Sequence, residues 1–144
     1  MTTVAFDGKS MAADRRTTIS GQTWGKHSKM MHIPGGVVAL SGDYNDILAF
    51  VEWKRSGEAQ PPRNFNGDNR VDGCAILNGK PFSVEGSIMV PLRACDKRAW
   101  GSGWQWAAAA MDHGANARDA VRYASKRDGY SGGGVDVKPV VRKK

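Results

Sequence analysis

Thr2 stands one residue from the start of the chain, so removal of Met1 leaves a hydroxyl and a free α-amine on the same residue. A threonine hydroxyl is a weak nucleophile until a base takes its proton, and an N-terminal amine can be that base. The amine titrates near about 7.7–8.0, close to working pH, where a general base is most effective. Methionine aminopeptidases remove Met ahead of small residues such as Thr, so no long propeptide is needed. Position alone makes Thr2 an ordinary second residue, and the residues that follow it decide the matter.

Those residues predict a hairpin. Thr3 to Phe6 reads as one strand, Asp7-Gly8 as a two-residue turn, and Lys9 to Ala13 as the returning strand. Asp14 then lies across the hairpin from the Thr2 end, where a carboxylate could hold a nearby ammonium. From Ile19 to His27 the chain reads as irregular and polar. Two short apolar runs around Pro34-Gly35-Gly36 predict a second hairpin, ending in Ser41-Gly42. Asp43 to Trp53 is the clearest helix, with Asp43 as N-cap, Tyr44, Ile47, Leu48 and Val51 on its apolar stripe, and Ser56-Gly57 closing it. Gly42 therefore sits at a strand-to-helix turn, where its N–H can point at a ligand.

Residues 57–70 contain Pro61-Pro62 and several Asn and Gly, and predict an exposed loop. A third hairpin turns at Asn78-Gly79. Ser87 to Val90 and Cys95 to Trp100 are further candidate strands. An Ala-rich helix over Trp104 to Met111 and a second helix over Asn116 to Lys126 precede a closing strand, Val135 to Lys138. The glycine run after Asp128 is not a phosphate loop, because no Gly-Lys-Ser/Thr follows it.

A chain of 144 residues fits one domain with a sizeable core, with 138–144 as a basic tail. No apolar run is long enough to span a bilayer and no signal peptide is visible, so the expectation is a cytoplasmic protein. Cys74 and Cys95 fit buried reduced thiols, and neither sits in the electropositive turn that a Cys–His hydrolase needs. The formal net charge of +7 is read as solvated surface charge, since no nucleic-acid-binding motif accompanies it. His27, His32 and His113 lack metal-ligand spacing, and no cofactor is expected.

Thr2-Thr3-Val4-Ala5, followed by Ala12-Ala13-Asp14 with Arg16 and Thr18, resembles the start of mature proteasome β-type subunits, the N-terminal-nucleophile hydrolases that include bacterial HslV. Ser41-Gly42 before a helix, Gly101-Ser102-Gly103 before an Ala-rich helix, and Arg127-Asp128-Gly129-Tyr130-Ser131-Gly132-Gly133 before a last strand continue the resemblance in order. The fold it implies is a four-layer αββα sandwich of antiparallel sheets. The family carries a second long helix where this chain has 57–70, so a compact version lacking one helix is expected, with part of one sheet face exposed.

The same resemblance implies the site. Thr2 is the nucleophile, and Lys29, with Lys26 as the nearby alternative, is the lysine beside it. A buried ammonium there favours the alkoxide and keeps the α-amine neutral, and Asp14 holds it charged. Gly42 N–H serves the oxyanion, while Ser102, Asp128 and Ser131 form a hydrogen-bonded cluster around the Thr2 amine. Thr18, Leu40 and Tyr44 are the expected substrate contacts, with an apolar preference. The implied activity is that of a threonine-type endopeptidase acting on peptides or unfolded proteins. A homo-oligomer is expected, and the resemblance admits a ring and an ATPase partner. Two alternatives stand beside it: a silent member kept for assembly or partner binding, and a small-molecule amidase on the same fold.

Overall fold

The computed structural model describes residues 2–19, 22–129 and 131–140. Its first hairpin joins β1 (Thr3–Phe6) to β2 (Ser10–Asp14), pairing Val4 with Ala13 and Phe6 with Met11. The turn differs from the sequence expectation by one residue. Gly8 and Lys9 form its tip, and the Asp7 carboxylate accepts both the Lys9 and Ser10 N–H groups at 2.8 Å. The Asp7 side chain closes the loop from outside, so Asp7 belongs to the stem. The resulting register sets Asp14 opposite Thr3.

β3 (Arg16–Ile19) and β4 (Gln22–Lys26) form a separate two-stranded ribbon where an irregular stretch was expected. The segment alternates without an apolar stripe, and its register shifts between Thr17 and Thr18. Next come β5 (Met30–Ile33), β6 (Gly36–Ser41) and α1 (Tyr44–Ser56). Asp43 caps α1 by accepting the Asn45 N–H, and Gly57 ends it in the left-handed conformation. After the loop come β7 (Asp72–Leu77), β8 (Lys80–Glu85), β9 (Ile88–Pro91) and β10 (Arg98–Gly101). Asn78 and Gly79 both take positive φ at the β7–β8 turn, as a two-residue Asn-Gly hairpin requires. α2 (Trp104–Asp112), α3 (Ala117–Arg127) and β11 (Val135–Pro139) complete the chain. The basic tail is shorter than expected, because Lys138 and Pro139 pair with Met11 and Ser10.

The strands assemble into an antiparallel four-stranded sheet, β10-β1-β2-β11, and an antiparallel five-stranded sheet, β5-β6-β7-β8-β9. Alternation along the strands assigns each side chain to a layer. Val4, Phe6, Met11 and Ala13 pack against Val37, Ala39, Cys74 and Ile76 between the sheets. Ala5 and Ala12, on the opposite face, meet Ala107, Ala117, Ala120, Val121 and Ala124 of α2 and α3. Small side chains on both surfaces let helix and sheet backbones approach closely. Val38, Leu40, Ala75 and Val84 face α1 on the far side of the second sheet. The result is the expected αββα sandwich, with two helices on one side and one on the other.

Several expectations need correction. α1 buries Ile47, Phe50, Val51 and Trp53, whereas Tyr44 and Leu48 are exposed, so its packed face is rotated from the predicted stripe. Residues 57–70 are mostly exposed, but Phe65 is fully buried. Its ring lies 5.5 Å from Phe50 and 5.8 Å from Trp53. Such pairs contribute about 0.5–1.5 kcal/mol each beyond their burial, and here they join the loop to the core on the α1 side of the second sheet. Cys74 is buried, with its thiol pKa pushed up by desolvation, but Cys95 is exposed. No helix among the described residues is long and apolar enough to cross a membrane.

Candidate active site

Asp14 ends β2 at the edge where four segments meet, and its side chain is fully buried. Its Oδ1 accepts the Thr3 N–H at 3.0 Å and the Lys29 ammonium at 2.9 Å. Its Oδ2 accepts the Gly132 N–H at 2.9 Å and the Arg16 N–H at 3.2 Å. Four donors on one buried carboxylate satisfy a charge that would otherwise be costly to bury. They also tie together the start of β1, the start of β3, the approach to β5 and the loop before β11.

Lys29 immediately precedes β5, and its side chain retains 11% exposure. Burial is the largest influence on its ammonium and holds its pKa below the usual lysine range. The Asp14 carboxylate opposes that shift, aided by Asp128, while Arg16 adds to it. The Lys26 backbone pairs with Arg16 in the β3–β4 ribbon. Its side chain, like that of Thr18, lies outside those described.

Thr2 is buried, with 6% exposure, directly ahead of β1. Thr3, the first residue of β1, turns its side chain toward the helices, where its hydroxyl meets Ser131. Gly101 pairs with Thr3, and a Cβ there would strike the Thr2 carbonyl oxygen and stand 3.3 Å from Ser41 Oγ. The end of β6 therefore borders the Thr2 end of β1. Gly42 follows at φ +142°, where a Cβ would lie 2.7 Å from the Arg70 carbonyl oxygen, so turn geometry alone already requires glycine. Leu40 is buried in the α1 core and Tyr44 is exposed at the start of α1. They flank Gly42 in the chain but face different surroundings.

A second cluster lies on the helix side of β1. Asp128 Oδ2 accepts hydrogen bonds from Ser102 Oγ at 2.5 Å and Ser131 Oγ at 2.7 Å. Ser131 Oγ is also 2.7 Å from Thr3 Oγ1, and Ser102 Oγ makes a long 3.5 Å approach to the Thr2 carbonyl oxygen. The three expected residues are thus together, joined by Thr3. Thr3 has no signature of its own beside Thr2, although period-2 alternation with Ala5 places its hydroxyl on this face. Gly103 is the close-approach position, since a Cβ there would collide with Thr3 Oγ1. Two further contributors have no assigned role in the sequence: Arg16, whose guanidinium donates to the Gly129 carbonyl at 3.1 Å, and the Gly132 N–H on Asp14. Main-chain donors carry no signal in residue type.

The layered architecture is the N-terminal-nucleophile hydrolase fold, of the HslV and proteasome-like kind. Two structures of Thiobacillus denitrificans BPH, one in complex with epoxomicin, match with TM-scores of 0.73 and 0.72 at 19% identity, each match covering 99% of this chain and 100% of the other. The eukaryotic HslV from Trypanosoma brucei matches with a TM-score of 0.68 at 17% identity, covering 98% of this chain and 99% of the other. No protein-family model matches the chain, and no curated protein does.

Proposed function

We propose that the chain is a threonine-type peptidase that hydrolyses peptide bonds with Thr2 once Met1 is removed. The observation that carries this reading is the Asp14–Lys29 pair at 2.9 Å, bonded to the backbone beside a buried Thr2. In the reaction, Thr2 Oγ attacks the carbonyl carbon of the scissile bond, and its proton passes to the Thr2 α-amine. The Lys29 ammonium stabilises the developing negative charge on Thr2 Oγ and opposes protonation of the free amine, which keeps that amine available as base. The Gly42 N–H serves the tetrahedral oxyanion. Collapse breaks the C–N bond as the leaving amine takes the proton, and water then hydrolyses the ester on Thr2 Oγ.

In this reading Asp128 with Ser102 and Ser131 orients the amine, and Thr18, Leu40 and Tyr44 contribute to substrate binding. The substrate is a peptide or unfolded protein, and the chain works as a homo-oligomer in the cytoplasm. A ring fed by an ATPase partner is the fullest form of the reading. The T. denitrificans BPH is known in complex with epoxomicin, which supports a ligand-binding site on this fold. The test is hydrolysis of a fluorogenic peptide library by the full chain and by Thr2→Ala. Activity in the first and none in the folded variant is expected. Equal activity in both would refute the assignment of the nucleophile.

A further inference from the structure

A groove of about 380 Å³ runs between α3 and the glycine loop before β11, lined by Arg118, Arg122, Ser125, Lys126, Gly132–Gly134 and Val135, and the Gly132 N–H of its wall is held by Asp14. The three cations are spaced i, i+4, i+8, one above another along about 12 Å of a single helix face. Like charges at this spacing repel and weaken a helix. Among the described residues none of the three forms an ion pair, and the lining contains no carboxylate. The neighbouring Arg127 is directed elsewhere, over Trp106 and Tyr123. Across from the cations the wall is almost bare backbone. Behind the wall Arg16 packs against Gly132, while Arg15 approaches Gly134 and pairs with Asp136 at 3.6 Å.

We propose that this groove is a binding site for a small polyanion, specifically the phosphate chain of an oligophosphate. Guanidinium forks pair bidentately with phosphate oxygens, and a lysine adds a point charge. A row of three cations matches a row of charges better than a single anion. The volume lies at the small end of ligand sites and admits a chain of phosphates. Among the described residues, no aromatic side chain lines the groove. The site would accept free triphosphate and the phosphate tail of a nucleotide alike. This assignment is independent of the peptidase reading.

The experiment is titration calorimetry of the full chain with inorganic triphosphate at low and at raised salt. Arg118→Ala/Arg122→Ala is compared with a control that removes the same charge elsewhere, Arg55→Ala/Arg93→Ala. Saturable binding that weakens with salt is expected. It should persist in the control and fall by about tenfold or more for each groove arginine removed. ATP should bind as triphosphate does. The proposal is overturned by absence of saturable binding, by equal loss in both double variants, by ATP binding where triphosphate does not, or by a hexaglutamate peptide binding more tightly than triphosphate. Unliganded melting temperatures of the variants separate lost binding from lost fold.

Discussion

The Lys29 ammonium and the Asp14 carboxylate meet at 2.9 Å, and the same carboxylate oxygen also accepts the N–H of Thr3. One atom therefore couples a buried cation to the backbone of the residue following Thr2. Replacing Asp14 with Asn keeps the shape but turns an amide toward hydrogen-bond donors and removes the ammonium's counter-charge. Breaking a buried pair in this way costs about 3–5 kcal/mol. Asp14→Asn should lower the urea midpoint strongly and abolish peptide hydrolysis, whereas Lys29→Met should abolish hydrolysis at a smaller stability cost, because Asp14 keeps three N–H donors.

Lys29 also sets a pH dependence. Its folded pKa lies below the usual lysine value, mainly through burial, so the folded chain loses this proton at lower pH than the unfolded chain does. Between the two values the unfolded state holds more protons, and this residue's contribution to stability rises with pH. Below that window the buried ammonium is a constant cost. Activity should run the other way, falling as the ammonium is lost, earlier than an ordinary lysine would dictate. Rates and urea midpoints measured from neutral pH upward check both limbs, and Lys29→Met should lack this contribution to the rise in stability.

Thr3→Val removes a hydroxyl while keeping the branched shape. Ser131 keeps its bond to Asp128, so the stability loss should be about 1 kcal/mol. A fall in kcat with little change in KM is expected if the Thr3–Ser131–Asp128–Ser102 chain orients the amine.

Gly103→Ala acts on the same place sterically, because the added methyl collides with Thr3 Oγ1. Overpacking of this kind costs about 1–3 kcal/mol. Thr3→Ser/Gly103→Ala should be no less damaging than Gly103→Ala alone, since the hydroxyl remains, while Thr3→Ala/Gly103→Ala should recover part of the loss. Thermal unfolding of the three variants checks this.

Asp7 gives a prediction remote from the chemistry. Its Oδ2 accepts the Ala117 N–H at 2.8 Å, so the turn of the first hairpin also caps α3. Asp7→Ala should cost about 1–2 kcal/mol, read as a lowered melting temperature.

How much of this was legible in the sequence depended on whether side chains or main chain carried the information. The Asn78-Gly79 hairpin, the Asp43 and Gly57 caps of α1 and the Ala-rich helix are written in residue types, whereas the αββα order is implied by the resemblance to proteasome β-type subunits. The β3–β4 ribbon has no run of alternating apolar residues in its sequence to announce it. The face of α1 was misjudged because Phe65, from a loop that reads as solvent-exposed, draws Phe50 and Trp53 inward. At the site, Asp14, Lys29, Ser102, Asp128 and Ser131 are polar side chains in a recognisable order. The Gly132 and Arg16 amides that complete the Asp14 hub have no such signature, and Thr3 was hidden beside a more conspicuous threonine.

The central claim is that Thr2, freed at its amine, is the nucleophile. The most direct test is the intact mass of the purified chain before and after exposure to a peptide epoxyketone, which requires a hydroxyl and a free α-amine on one residue. The account predicts a starting mass short by one methionine, then one stoichiometric adduct that is lost in Thr2→Ala. A retained Met1 with no adduct, or an adduct that persists in Thr2→Ala, would contradict it.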